Sequence, residues 1–267
     1  MQNLYIRAWE RLREERHHLS DIDREATPVL FFGRWDAARV ATAGLNPSED
    51  EFRAKTSTDA HKAPLRGAQQ RFLHWDDGEL TPARLEEALR RACGYFELGN
   101  AYSRWFGQYS EFLESLGAPF STGTACHTDY VSPFATKTGL SKCSGTTRVK
   151  LQEFGEPAWV EVLTKCTHVE VLFGHGRGWR RAPDLLRFNG DWATIATPFD
   201  EKGGRRCAGQ PHLLYGEGRL GAGGRRLLVY WWKPNRDGSP LCFLGGEEKR
   251  QLGAIIKDHG NKRGALK

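Results

Sequence analysis

Short β-prone apolar runs alternate with amphipathic stretches along most of this chain. Pro28-Val-Leu-Phe-Phe-Gly33 and Arg39-Val-Ala-Thr-Ala-Gly44 are apolar runs around a polar hinge and predict two strands or a hairpin. Residues 124–136, "TACHTDYVSPFAT", predict a strand running into a Pro-containing loop. A buried strand is expected within 168–178, "HVEVLFGHGRG", ending in a Gly-rich loop, another over 191–200 and a longer one over 225–235. Helical periodicity marks an N-terminal helix within 1–18, with Leu4, Trp9 and Leu12 near one face. A helix over 81–96 begins with Thr81 as N-cap and Pro82 at its first position. Further helices are expected over 105–117, closed by Gly117, over 156–166, over the segment "RRAPDLLRF", and over 245–259. Strands alternating with helices predict a three-layer α/β/α sandwich with a mostly parallel central sheet. No linker divides the pattern, so 1–267 reads as a single domain, with an inserted hairpin expected near 200–224.

Composition narrows the function classes. The chain has 267 residues and a net charge of +6, with arginines clustered at 11–16, 177–187, 205–206 and 225–226. That balance permits a phosphate-rich partner without proving one. Six cysteines are scattered singly, with no CxxC and no zinc-finger spacing, and no HExxH motif occurs. No metal and no cofactor is expected. No apolar run approaches the ~20 residues of a spanning helix, so the expectation is a cytoplasmic protein that does not contact the membrane. There is no phosphate loop of the GxxxxGK[ST] type and no GxSxG elbow. Gly216-Glu-Gly-Arg-Leu-Gly221 fits a dinucleotide fingerprint by letter, but a strand follows it instead of preceding it. It reads as a hairpin loop.

Candidate chemistry gathers at the expected strand ends, where ligands bind in open α/β sheets. Gly44-Leu45-Asn46-Pro47-Ser48 turns sharply after a strand. An amide fixed on that corner can orient a ligand or a water, or it can tie down the turn. Asp129 with Ser132-Pro133-Phe134, the loop Gly174-His175-Gly176-Arg177, and Lys233-Pro234-Asn235-Arg236 complete the set.

In this order, "GLNPS", "HTDYVSPF", "VLFGHGRG" and "WKPN" resemble the motifs of the uracil-DNA glycosylase superfamily, over residues 28–259. "GLNPS" is the most specific and is similar to the G-x-N-P-G/S motif of the mismatch-specific and single-strand-selective branches. The resemblance implies that fold and a metal-free DNA glycosylase that flips a base out and hydrolyses its bond to the sugar. Asn46 falls on the asparagine that positions the attacking water, with one acid of the cluster Glu49-Asp50-Glu51, Glu49 and Asp50 foremost, as an assisting carboxylate beneath the oxocarbenium-like centre. Gly44, Ser48, Phe52, Asp129, Tyr130, Phe134, His175, Lys233 and Asn235 are the expected substrate contacts. Arg177, Arg180, Arg181 and Arg236 are the expected phosphate contacts.

Two positions modify the picture. Asp129 stands where several branches carry an asparagine that reads the base edge. A carboxylate accepts, so it suits the cytosine N4 amino group better than uracil. The family's His-Pro-Ser is replaced by Lys233-Pro234-Asn235, which departs from ordinary uracil chemistry. The expected substrate is therefore a modified cytosine. Within that family a phage-defence enzyme removes alpha-glucosylated hydroxymethylcytosine, so the implied partner is phage or damaged DNA, bound by a monomer. A uracil or mismatch glycosylase and a non-cutting sensor of modified bases stay open as alternatives.

Overall fold

The computed structural model describes the chain except residues 56–61, 76–78, 98, 198–211, 234–240, 242–243 and 267. In chain order the elements are α1 (Gln2–Glu15), β1 (Val40–Gly44), β2 (Arg53–Lys55), β3 (Lys62–Pro64), α2 (Pro82–Cys93), α3 (Ser103–Phe106), α4 (Ser110–Leu116), β4 (Ala125–Asp129), α5 (Gly145–Lys165), β5 (Val171–His175), α6 (Ala182–Leu185), β6 (Ala193–Ile195), β7 (His212–Leu220), β8 (Arg225–Lys233) and α7 (Gly246–Lys262). Six strands form one sheet in the order β4-β1-β5-β8-β7-β6. β1, β5 and β8 are parallel neighbours, whereas β7 and β6 run antiparallel beyond β8. The fold is thus mixed α/β with a mostly parallel central sheet.

The chain divides into two compact units, each assembled from separate segments: Met1–Gly33, Gly44–Tyr102 and Thr128–Val162 in the first, Arg34–Ala43, Ser103–His127 and Leu163–Lys267 in the second. The second unit holds most of the sheet. Its strands bury alternate residues on opposite faces because successive side chains point to opposite sides. Val171 and Phe173, Leu228, Tyr230 and Trp232, and Leu213 and Tyr215 meet Phe112, Leu113 and Leu116 of α4 and Leu252 and Ile256 of α7 in one core. Leu172, Val229 and Trp231 are equally buried. Burial on both faces is why "RLLVYWW" reads as an unbroken apolar run. Gly253 lets α7 approach α4 closely: a Cβ there would lie 2.3 Å from the Phe112 carbonyl oxygen and 2.0 Å from Ser115 Oγ.

In the first unit α1 buries Leu4, Tyr5, Ala8, Trp9 and Leu12. Trp9 stacks on Trp75 with ring centroids 4.1 Å apart, and Arg84 and Arg16 cap the outer ring faces at 5.1 and 4.7 Å. Thr81 caps α2 by accepting from the Arg84 N–H, with Pro82 at the first position. The first turn is thereby satisfied as the sequence implies.

Several elements differ from the sequence expectation. Residues 28–33 are not a strand. They form a buried segment with a single β-bridge at Phe32, whose Val29 N–H donates to Pro133 O at 2.8 Å and whose Gly33 N–H donates to Ala92 O at 2.7 Å. The helix expected over 105–117 breaks into α3, a 3-10 turn at Gly107–Tyr109, and α4, closed by Gly117 at φ 82°. The helix expected over 156–166 is longer: α5 begins eleven residues before Glu156 and carries Pro157 inside it. The "RRAPDLLRF" helix shrinks to α6, and the 191–200 strand to the three residues of β6. "GEGRL" is not a loop but the second half of β7, paired with β8 through Leu220 opposite Arg225. Its glycines are needed for packing: a Cβ on Gly216 would meet the Phe188 ring at 2.0 Å, and one on Gly218 would meet Leu186 at 3.1 Å. Of the hairpin expected near 200–224, residues 200–211 lie outside the described part, and 212–224 supply β7 and the turn into β8. That stretch pairs with β8 in the main sheet.

Candidate active site

The corner after β1 is built as the sequence implied and is tied to the chain that follows β4. Gly44 O accepts from the Tyr130 N–H at 3.0 Å, and Leu45 O accepts from the N–H groups of Val131 and Ser132 at 3.0 and 3.2 Å. Asn46 then reaches into the second loop: its Nδ2 donates to Pro47 O at 3.0 Å, to Thr136 Oγ1 at 3.1 Å and to Phe134 O at 3.4 Å. With Nδ2 held by three acceptors, Oδ1 on the other branch of the planar amide is the atom left to accept from a ligand or a water. Asp129 ends β4 and is buried at 7 % exposure. The structure therefore brings Asn46 and Asp129 onto two loops hydrogen-bonded to each other.

The acidic turn 49–51 separates three fates. Ser48 caps it by accepting from the Asp50 N–H at 3.2 Å. Glu49 lies 4.0 Å from Arg53, whose guanidinium also binds Asp23 at 3.1 Å. Asp50 accepts from the Tyr102 hydroxyl at 2.7 Å. Glu51 points inward and is 2 % exposed. Tyr95 donates to its Oε2 at 2.6 Å, and the Tyr95 oxygen in turn accepts from the Tyr102 N–H at 2.8 Å. Arg71 donates to Asn100 O at 2.5 Å and Asp50 O at 2.6 Å and stands 3.8 Å from Glu51, beyond hydrogen-bond distance. Burial pushes the Glu51 carboxyl up to about 8. The Tyr95 hydrogen bond and the Arg71 charge pull against this, and the charges of Asp129 and Asp50 add to it. At neutral pH Glu51 is a carboxylic acid with a donor to offer.

The expected aromatic contacts are packed into the protein. Phe52 is 1 % exposed and lies beside Phe72 and His74, with centroids 5.6 and 6.2 Å away. Tyr130 lies against Trp159 at 5.9 Å, and Phe134 stacks on Phe154 at 5.5 Å. Gly44 is the last residue of β1.

The remaining predicted residues belong to the second unit. His175 ends β5 opposite Trp232, is 4 % exposed, and its ring lies 5.6 Å from that of Trp105. Neither ring nitrogen has a hydrogen-bond partner among the described residues, and burial, with His127 nearby, pushes its pKa down to about 3. Lys233 is half-buried at the end of β8. Arg180 and Arg181 are exposed, Arg181 standing 4.0 Å from Asp184. Arg177 lies in the 3-10 turn Gly176–Arg180, with only its backbone described. Asn235 and Arg236 lie outside the described residues. Part of the basic surplus is structural: Arg225 donates to Leu163 O at 2.8 Å, and Arg226 pairs with Glu217 at 2.6 Å.

Compared with known families and with curated proteins, the chain matches none. Among the described residues, no cluster of three or more His, Cys, Asp or Glu side chains is arranged to hold a metal ion. Among the same residues no helix is long and apolar enough to cross a membrane.

Sequence reading missed Tyr95, Arg71 and Tyr102, and within the acidic cluster 49–51 it favoured Glu49 and Asp50 over Glu51. Glu51 is one of three consecutive acids, and only the 3-10 geometry of the turn decides which one faces inward. The signal within reach was Phe52: an acid directly before a buried aromatic at a strand-end turn is a candidate for burial.

Proposed function

We propose that this chain is a DNA glycosylase of the uracil-DNA glycosylase type, acting on an extruded cytosine-type base. The observation that carries the reading is the clamp on Asn46, whose Nδ2 is held by the loop that follows Asp129, leaving Oδ1 to hold a water. In this reading the water attacks C1′ of the sugar while the bond to the base breaks and its electron pair moves into the base; the oxygen stays on the sugar as a hydroxyl, and the proton it gives up ends on the released base. The Asn46 dipole stabilises the charge that develops at the sugar. Asp129 accepts from the N4 amino group of the flipped base. The sheet forms the middle of a three-layer α/β/α sandwich, and Arg180 and Arg181 bind phosphates in a salt-dependent manner. The substrate is phage or damaged DNA, met in the cytoplasm by a monomer.

The test is a panel of DNAs carrying uracil, mismatches, and plain, hydroxymethylated or glucosylated cytosine. Each is incubated with the protein, cleaved at abasic sites by alkali, and analysed for released base by mass. Release from a cytosine-type DNA, abolished in Asn46→Ala, supports the reading. Selective binding without release from any DNA replaces it with a sensor, and release of uracil alone replaces the cytosine assignment.

A further inference from the structure

Glu51 is the one buried acid of the site whose chemistry the reading above does not use. A carboxylate with 2 % exposure needs either a hydrogen-bonded cation or a proton. Among the described residues its nearest cation is Arg71, which binds two backbone carbonyls and stands 3.8 Å from Glu51, an ion-pair distance beyond hydrogen-bond reach. What it has is a neutral donor, Tyr95, on Oε2. The Tyr95 hydroxyl is oriented by the Tyr102 N–H, which occupies its oxygen and leaves its hydrogen for Glu51. The proton of a neutral Glu51 therefore belongs on Oε1.

We propose that Glu51 and Asp129 act as a donor–acceptor pair that reads a cytosine edge, Glu51 Oε1–H donating to N3 and Asp129 accepting from the N4 amino group. The inference rests on the reading of the site as a flipped-base pocket and adds a specificity-determining residue to it. Uracil presents the reverse pattern, an N3–H donor and an O4 acceptor, so it meets a donor at N3 and an acceptor at O4. A site built to hydrogen-bond one pattern rejects the other strongly, because buried polar groups are then left unmatched. Tyr95 is a positioning residue: it fixes which oxygen carries the proton.

The pair makes recognition pH-dependent with a definite sign. The groups facing Glu51 are Tyr95 after α2, Arg71 before α2, Asp129 at the end of β4, and Asp50 on its own turn. Together with burial they place its titration at about 8, so the donor is present below that pH and is lost above it. Gln in its place keeps the geometry without the titration. Its oxygen still accepts from Tyr95, and its NH2 then takes the place of Oε1–H.

The experiment measures binding of cleavage-resistant oligonucleotides with a 2′-fluoro sugar at one central nucleotide, bearing 5-hydroxymethylcytosine or uracil, from pH 6.5 to 9.5. Wild type, Glu51→Gln and Glu51→Leu are compared, with melting curves to confirm folding. The expected wild-type preference for the cytosine probe falls about thirtyfold between pH 7 and 9.5, following the neutral fraction of the acid. Glu51→Gln keeps its preference at pH 9.5, and Glu51→Leu has none at any pH. Equal wild-type affinity for the two probes at pH 7, or a parallel pH fall in Glu51→Gln, overturns the inference. Release of base is measured separately on cleavable DNA. No release beside intact pH-dependent binding sinks the glycosylase reading alone, and release without a Glu51-dependent pH effect sinks this inference alone.

Discussion

Replacing Glu51 with Gln should stabilise the folded protein at alkaline pH, and the size of the effect follows from the burial of one carboxyl. Its titration moves from an ordinary 4.5 to about 8 on folding. Between those values the folded chain binds a proton that the unfolded chain has released. Stability therefore falls as pH rises through this window and is fully present only below 4.5. Each pH unit is worth ~1.4 kcal/mol, so the window of roughly 3.5 units corresponds to about 5 kcal/mol. Gln carries no charge to desolvate, and its oxygen preserves the acceptor for Tyr95. The assay is urea unfolding of both proteins at pH 5, 6, 7, 8 and 9. The difference in unfolding free energy should favour Glu51→Gln by a margin that grows up to pH 8 and then levels off. Every other titrating group is common to the two proteins and cancels. A difference that stays flat across pH would mean that Glu51 titrates alike in folded and unfolded chains, and the claim that it is held neutral would fail.

Other expectations test separate parts of the structure. Asn46→Ala should abolish base release while changing DNA affinity less than about threefold, since it removes a water ligand but no phosphate contact; equal turnover in gel-based cleavage would remove Asn46 from the chemistry. Asp129→Asn should shift preference from cytosine-type toward uracil-type bases in competition assays, because an amide matches the uracil edge; unchanged preference defeats that assignment. His175 titrates near 3 when folded against an ordinary 6.5, so its contribution to stability is present above pH 6.5 and lost as pH falls through 3. His175→Phe should therefore gain on wild type by ~1.4 kcal/mol per pH unit below 6.5, read from urea midpoints at pH 7, 6 and 5. Gly253→Ala should cost about 1–3 kcal/mol or more by forcing α7 away from the Phe112 carbonyl, and an unchanged melting temperature would show that α4 and α7 part freely.

Local rules decided much of this protein. Thr81 and Pro82 start α2 because capping and a preset φ act within a few residues. Gly117 ends α4 because a left-handed backbone needs no distant partner. The apolar runs over 171–173 and 227–232 marked strands, and the turn through Asn46 was legible from Gly44 and Pro47. Tertiary structure decided what local rules leave degenerate. Residues 28–33 have a strand's composition, yet they bond to Pro133 and Ala92 across long sequence separations and reach only a single β-bridge, at Phe32. Gly216 and Gly218 look like loop residues, but Phe188 and Leu186 need the space a side chain would occupy. Of three consecutive acids, the one that is buried is set by how the turn meets Tyr95, Arg71 and Asp129. Desolvation and charge depend on distance in space, and neighbours in sequence carry no measure of it.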